Sequence, residues 1–346
     1  MTDTYRIALV GCGRISKTHF EAIRKVDGLR LTAVSDDDEA RARAAGDEQG
    51  VAWFANYADM LDKAKSDIVT LCTPSGVHSS QGVAAARAGK HVITEKPMAI
   101  TLEQADALVQ ATDSAGVRLF VVKQNRLNPA IQLLRRAVDK GRFGRIYSAN
   151  TTVRWTRPQN YYDAEPWRGT WEFDGGAFMN QASHYVDLIQ WLVGPVESVV
   201  AKTATQARRI EAEDSGVAVL RFRSGAIGVI EVNVLTYPRN WEGSVTIIGE
   251  RGTAKIGGTA VNKVEHWAFA DYDDDDKLVD GVATQPASVY GFGHEGYYRN
   301  VLAVLRGEAQ PETDGRAGRK SLELILGIYE SAKTGRDVPL PLRTTL

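Results

Sequence analysis

Arg6-Ile-Ala-Leu-Val-Gly-Cys-Gly-Arg-Ile-Ser16 is the stretch on which the fold turns. The apolar run ending at Val10 predicts a short strand buried on both faces. Gly11 permits a tight turn, and Gly13 lets the backbone approach a pyrophosphate. A predicted helix from Lys17 to Lys25 then offers free N–H groups and a positive dipole end to phosphates. Ser16 stands where a third glycine usually stands, and is small enough for close helix–strand packing.

Outward from this turn, a second strand, Leu31–Val34, ends at Ser35-Asp36. Asp36 lies 23 residues past Gly13 (36 − 13), near the spacing at which a carboxylate accepts hydrogen bonds from ribose hydroxyls. Asp37 and Asp38 add charge that repels a 2′-phosphate. Arg41 and Arg43 lie farther along the chain, so the expected cofactor is NAD rather than NADP. Gly11, Gly13, Arg14, Ile15 and Asp36 are assigned to it. The alternation continues with a helix at 57–61, a strand at 67–72, a helix at 77–88, a strand at 91–94 and a strand at 117–122. Thr101 and Gln104 predict a capping box on a helix to about Ala115. Five or six strands with crossover helices make a Rossmann-type doubly wound parallel sheet, an α/β fold.

The chain has 346 residues, long enough for two domains. Its net charge of −1 gives no basic excess for nucleic acid. No signal peptide is read at the amino terminus. No apolar run approaches the roughly 18 residues that span a bilayer. Cys12 and Cys72 do not suggest a disulfide framework, so the protein is read as cytoplasmic. His78, His184 and His294 lack metal-ligand spacing. Asp271–Asp276 lacks the glycine and distal glutamate of a calcium loop and reads as solvated. No metal is expected.

At Gln124-Asn125-Arg126 the period changes, which places an NAD-binding domain at 1–124 and a substrate and oligomerisation domain at 125–346. A helix is predicted over 129–140. Strands are predicted at 146–155, 196–204, 215–222, 226–235, 241–249 and 253–256, giving an α+β domain with a large open, mostly antiparallel sheet. An uncovered sheet face favours a homo-oligomer, a dimer or tetramer.

The candidate chemistry sits in three places. Strand 91–94 runs into Glu95-Lys96-Pro97, putting Lys96 at the carboxyl edge of the sheet, where ligands of open α/β sheets bind. The loop 160–171 is dense in aromatics and polar groups, reads as a pocket wall and offers Tyr162 and Arg168, the latter to an anion. A glycine pair, Gly175-Gly176, feeds a predicted helix on which Asn180 and His184, four apart, share a face beside Gln181. Asp187, three further on, is placed to orient the His184 ring.

Gly11-x-Gly13, Asp36, Cys72-Thr-Pro-Ser-Gly-Val-His78 and Glu95-Lys96-Pro97 together resemble the glucose–fructose oxidoreductase/inositol dehydrogenase (Gfo/Idh/MocA) family of nicotinamide-dependent sugar oxidoreductases. The resemblance implies a cis proline after Lys96. It also implies a nicotinamide flanked by Thr73, Pro74 and His78, with Glu95, Lys96 and Gln124 around the cofactor. Lys96 and His184 would be the catalytic pair, and Asn180 stands where the family has an aspartate. The stretch Gly175–Leu188 is similar to one branch, the UDP-N-acetylglucosaminuronate 3-dehydrogenases of lipopolysaccharide sugar biosynthesis. That likeness implies oxidation of the C3 hydroxyl of a UDP-linked sugar acid. Oxidation of a free polyol or inositol is the alternative within enzymes. Outside them stands a non-catalytic NAD(H)-sensing regulator, against which Lys96 and His184 both argue.

Overall fold

In the computed structural model, residues 4–284 and 293–342 are described. The chain falls into two compact units, Met1–Lys123 with His294–Arg319, and Gln124–Gly293 with Lys320–Leu346. Thus the segment His294–Arg319, late in the sequence, clusters with the first unit.

The first unit holds strands β1 (Tyr5–Val10), β2 (Leu29–Ser35), β3 (Ala52–Phe54), β4 (Ile68–Leu71), β5 (His91–Thr94) and β6 (Leu119–Val121), interleaved with helices α1 (Ser16–Arg24), α2 (Glu39–Gln49), α3 (Tyr57–Lys63), α4 (His78–Arg87) and α5 (Leu102–Ser114). The strands run parallel in the order β3-β2-β1-β4-β5-β6. Ile7, Ala8 and Leu9 are fully buried, as the unbroken apolar run required. Each large side chain buried this way contributes about 1.5–3 kcal/mol. Helix starts follow local chemistry: Asp38 caps α2, Asn56 caps α3 and Thr101 caps α5. At α5 the return half of the expected box differs, since the Gln104 side chain accepts the N–H of Ile100. The order reverses between β1 and β4, which is the switch point where doubly wound sheets bind ligands.

The second unit contains α6 (Pro129–Asp139), β7 (Ile146–Arg154), α7 (Gln159–Asp163), α8 (Ser183–Val193), β8 (Val196–Ala204), β9 (Ser215–Phe222), β10 (Ile227–Asn233), β11 (Glu242–Gly249), β12 (Gly252–Gly257) and β13 (Lys263–Phe269). Helix α9 (Gly293–Leu305) opens at the boundary between the units, and α10 (Gly315–Thr334) begins in the first unit and ends in the second, ahead of β14 (Val338–Pro339). Eight strands run β13-β12-β11-β7-β10-β9-β8-β14, antiparallel except for the β10–β7 pair. Period-2 burial along β7 and β9 gives one covered face, on which α8 lies. The other face leaves Val200, Val217, Val219 and Ile227 exposed.

One expectation changes here. Asp271–Asp276 is not a solvated loop: Lys140 binds Asp273 and Asp275, Arg136 binds Asp275, and Arg142 binds Asp276, pinning the run to the end of α6. Part of the glycine-bearing stretch Tyr290–His294 lies outside the described residues. Among the described residues no helix is long and apolar enough to cross a membrane.

Candidate active site

In the first unit the turn after β1 is built for a close neighbour. Gly11 has φ +87°, and a Cβ there would stand 2.6 Å from the Cys72 carbonyl carbon, so only glycine lets β1 and β4 end side by side. A Cβ on Gly13 would meet nothing within 4 Å, so its bare backbone faces open space. Ser16 Oγ donates to the Gly13 carbonyl at 2.6 Å, fixing the turn on the first residue of α1. Arg14 is exposed, and Ile15 packs against the core cluster of Leu9, Phe20 and Val34.

Asp36 is buried at the end of β2, where its carboxylate accepts the N–H of Cys12 at 2.7 Å and of Asp38 at 3.0 Å. Burial raises its pKa, against the pull of those two N–H groups and of Arg41. Arg41 Nη1 stands 4.0 Å from Asp36, nearer than its place in the sequence suggested, and its Nη2 stands 3.6 Å from Asp38. A bare Gly13 at the head of α1 and a carboxylate fixed by two backbone N–H groups fit the pyrophosphate and ribose of a dinucleotide. When bound, NAD supplies a hydride acceptor.

At the end of β5 the Lys96–Pro97 bond is cis. Glu95 is buried, and its carboxylate accepts from His19 Nε2 at 3.0 Å and from the N–H of Lys96 at 3.1 Å. Burial pushes Glu95 up, but the His19 hydrogen bond, with His294 3.8 Å away and the Lys96 charge nearby, outweighs it and holds the carboxyl well below its usual range. His19 Nδ1 in turn meets Tyr298 Oη at 2.8 Å. His19, Glu95 and His294 bring their ligand atoms within 4.8 Å of one another, a grouping that no sequence spacing announces. Here Glu95 and His19 already share a direct hydrogen bond. Lys96 is half-buried at this corner.

His78 braces two strand ends. Its ring bridges the Pro97 and Thr73 carbonyls, at 2.8 Å each, stapling the ends of β4 and β5 together. Thr73 Oγ1 donates to Gln81 at 2.6 Å. Burial lowers the His78 pKa. A neutral ring carries one N–H and can donate to only one carbonyl at a time.

The second unit carries a separate group of candidate residues. Gln124 and His184 are both buried, with Gln124 Nε2 3.4 Å from His184 Nε2. Asp187 does not serve as the expected ring orienter. Both of its oxygens take the Arg126 guanidinium at 2.7 Å, and Arg126 also stacks over Trp191. Nor do Asn180 and His184 share a helical face: α8 begins at Ser183, and Asn180 and Gln181 belong to the turn before it. Asn180 Nδ2 donates to the buried carboxylate of Asp174, which also accepts the N–H of Gly169 at 2.8 Å. This fixes the amide so that its carbonyl oxygen is the end turned away from Asp174. Arg168 is held against the Tyr161 ring, its Cζ 4.3 Å from the centroid, and donates to the Tyr161 carbonyl at 2.6 Å. Tyr162 is buried beside it.

Three residues escaped the sequence reading: Asp174, Glu213 and Tyr329. Glu213 and Tyr329 bind the 176–179 turn from 35 and 150 residues away, a distance over which no local pattern speaks.

The N-terminal part, residues 5–123, matches the oxidoreductase family model for the NAD-binding Rossmann fold, and residues 135–340 match that family's C-terminal α/β domain. Among solved structures, the chain is similar to the WlbA dehydrogenase from Bordetella pertussis in complex with NADH and UDP-GlcNAcA, with 55% identity, a TM-score of 0.96 and 99% of each chain covered. The Chromobacterium violaceum WlbA dehydrogenase, also solved with NADH and UDP-GlcNAcA, shows 54% identity and a TM-score of 0.95, covering 99% of this chain and 98% of that one. Among curated proteins, D-apiose dehydrogenase of Paraburkholderia graminis is 29% identical, over 97% of this chain and 90% of its own length.

Proposed function

The chain belongs to the Gfo/Idh/MocA oxidoreductase family, with its NAD-binding Rossmann domain, and from that premise we propose that it oxidises the C3 hydroxyl of UDP-N-acetylglucosaminuronate to the 3-keto sugar. The observation that carries this reading is the 55% identity, over 99% of the chain, to a dehydrogenase solved with NADH and UDP-GlcNAcA. We place the reaction in lipopolysaccharide sugar biosynthesis on the resemblance of the stretch Gly175–Leu188 to that branch.

Lys96 accepts the hydroxyl proton, through its neutral amine, as the hydride leaves the sugar ring. His184, held beside Gln124, polarises the hydroxyl or shares its proton. Asn180 offers its carbonyl oxygen to a sugar hydroxyl, because its amide nitrogen donates to Asp174. Arg168, Gln181 and Tyr162 bind the anionic and polar parts of the substrate. Gly11, Gly13, Arg14, Ile15, Asp36, Thr73, Pro74, Glu95 and Gln124 hold the cofactor, and His78 acts through the carbonyls of Thr73 and Pro97.

Purified protein with NAD should form NADH with UDP-N-acetylglucosaminuronate, and far more slowly with myo-inositol or free N-acetylglucosamine. Efficient turnover of a free polyol, with none of the UDP-sugar acid, would put the protein with its sugar and polyol dehydrogenase relatives. Binding of NADH without turnover of either class would favour the sensor.

A further inference from the structure

The three residues Glu211–Glu213, just ahead of β9, grip both loops of the proposed substrate half. Toward the aromatic loop, the N–H groups of Glu211 and Ala212 donate to the Gly169 carbonyl at 3.1 and 3.0 Å. The Glu211 carboxylate accepts the N–H of Trp171 at 3.0 Å. Toward the glycine turn, the Glu213 carbonyl accepts the N–H of Ala177 at 3.0 Å, and Glu213 Oε1 accepts the N–H of Phe178 at 2.8 Å. Tyr329, from α10, completes the grip. Its hydroxyl donates to Glu213 Oε1 at 3.0 Å and accepts the N–H groups of Gly176 and Met179 at 3.3 and 3.2 Å. The turn so held leads directly into Asn180, whose own N–H bonds the Gly176 carbonyl at 2.9 Å, and then into α8 with His184.

Both loops come too close to this strap for a side chain. A Cβ on Gly169 would stand 2.6 Å from Ile210, and a Cβ on Gly176 would stand 1.7 Å from Glu213 Oε2. We propose that Glu213 and Tyr329 are positioning residues: with the Glu211–Glu213 strap they set the spacing between the Arg168 loop and the turn carrying Asn180 and His184, and so the fit of the sugar. This rests on the UDP-sugar reading above.

The strap has an energetic signature. Glu213 is buried, and its Oε2 has no hydrogen-bond partner among the described residues. Burial pushes its pKa up to about 7, and neighbouring Asp174 pushes the same way. Tyr329, pushed well above its ordinary value by burial, keeps its proton and so remains a donor. A glutamine here would keep the acceptor oxygen without a buried charge.

The experiment compares wild type, Glu213→Gln and Tyr329→Phe as full-length protein with NADH bound. Three quantities are measured: amide hydrogen exchange over residues 176–179, the Kd for NADH, and steady-state kinetics with UDP-N-acetylglucosaminuronate. The expected result in Tyr329→Phe is exchange at least roughly tenfold faster, an NADH Kd within about twofold of wild type, and kcat/KM lower by roughly 10–100-fold, while Glu213→Gln, which keeps the acceptor oxygen, changes exchange and kcat/KM less. Unchanged exchange in both variants overturns the clamp. Faster exchange with kcat/KM within about twofold overturns the positioning role and leaves a structural brace. If wild type fails to turn over the UDP-sugar acid, the substrate reading falls, and exchange alone then decides the clamp. Should Glu213→Gln not fold, Tyr329→Phe carries the test, since it keeps the ring and removes only the hydroxyl.

Discussion

At the scale of single residues, Lys96 separates binding from chemistry. Its position after β5 makes it a group that the adenosine end of NAD does not need. Lys96→Met should leave the Kd for NAD within about threefold of wild type and lower kcat by about 10²–10⁴, the range for losing a positioned acid–base group. Calorimetry and NADH absorbance measure the two quantities, and turnover close to wild type removes Lys96 from the reaction. Asp36 does the opposite. Asp36→Asn keeps an acceptor for the Cys12 N–H but would lose the proposed charge-assisted bonds to ribose, worth about 1.5–3 kcal/mol. Affinity for NAD should fall roughly tenfold or more, while affinity for NADP, no longer repelled, falls less or rises. Equal losses for both dinucleotides would show that Asp36 does not discriminate, and Arg41, 4.0 Å away, would become the residue to test.

At the scale of elements, what could be read from sequence and what could not divide along sequence distance. The first sheet was legible because each unit of it is local: an apolar run, a glycine or capping residue, then a helix. Gly11, Asp36 and the Lys96–Pro97 turn were legible for the same reason. The Asn180–His184 pair was misread because glycine turns do not reveal where a helix begins. Asn180 lies before α8, held by Asp174 rather than by helical register. Asp187 was misread because its partner, Arg126, is 61 residues away. The acidic run 271–276 was misread likewise, its basic partners lying about one hundred and thirty residues back in and just after α6. The Arg126–Asp187 pair ties the segment opening the second unit to α8, so it braces Gln124 and His184 from below. Asp187→Asn leaves a buried guanidinium short of its counter-charge and should cost about 3–5 kcal/mol. The double change Arg126→Met/Asp187→Leu should cost less than that single one, because no charge is stranded. Urea melts of the three proteins test this, and equal or larger loss in the double variant would show that the pair contributes more than mutual neutralisation.

At the scale of the whole molecule, two buried carboxyls give stability opposite pH slopes. Glu95 is held well below its usual range by its histidine partners, so its contribution is present above the unfolded value and is lost as pH falls through the folded one. Glu213 is raised to about 7 by burial, so its contribution is full below the unfolded value and declines as pH rises to about 7. The span from the ordinary 4.5 to about 7 corresponds to about 3 kcal/mol. The melting temperature of wild type should therefore decline between pH 5 and 8 more steeply than that of Glu213→Gln, and parallel curves would remove Glu213 as the source. The uncovered face of the second sheet makes a separate claim. Val219 and Ile227 are 51% and 60% exposed, and Val200 pairs directly opposite Val219 across β8 and β9. Branched apolar side chains aligned across neighbouring strands form a flat surface that water disfavours, and a second copy of the same sheet offers a matching one. Wild type should sediment as a dimer or tetramer. Val219→Asp, whose charge would be buried against its symmetry mate, should shift the species toward monomer while leaving NADH binding within about twofold, because β9 belongs to the other unit. A Val219→Asp protein that sediments as wild type does would place the subunit contact elsewhere on the chain.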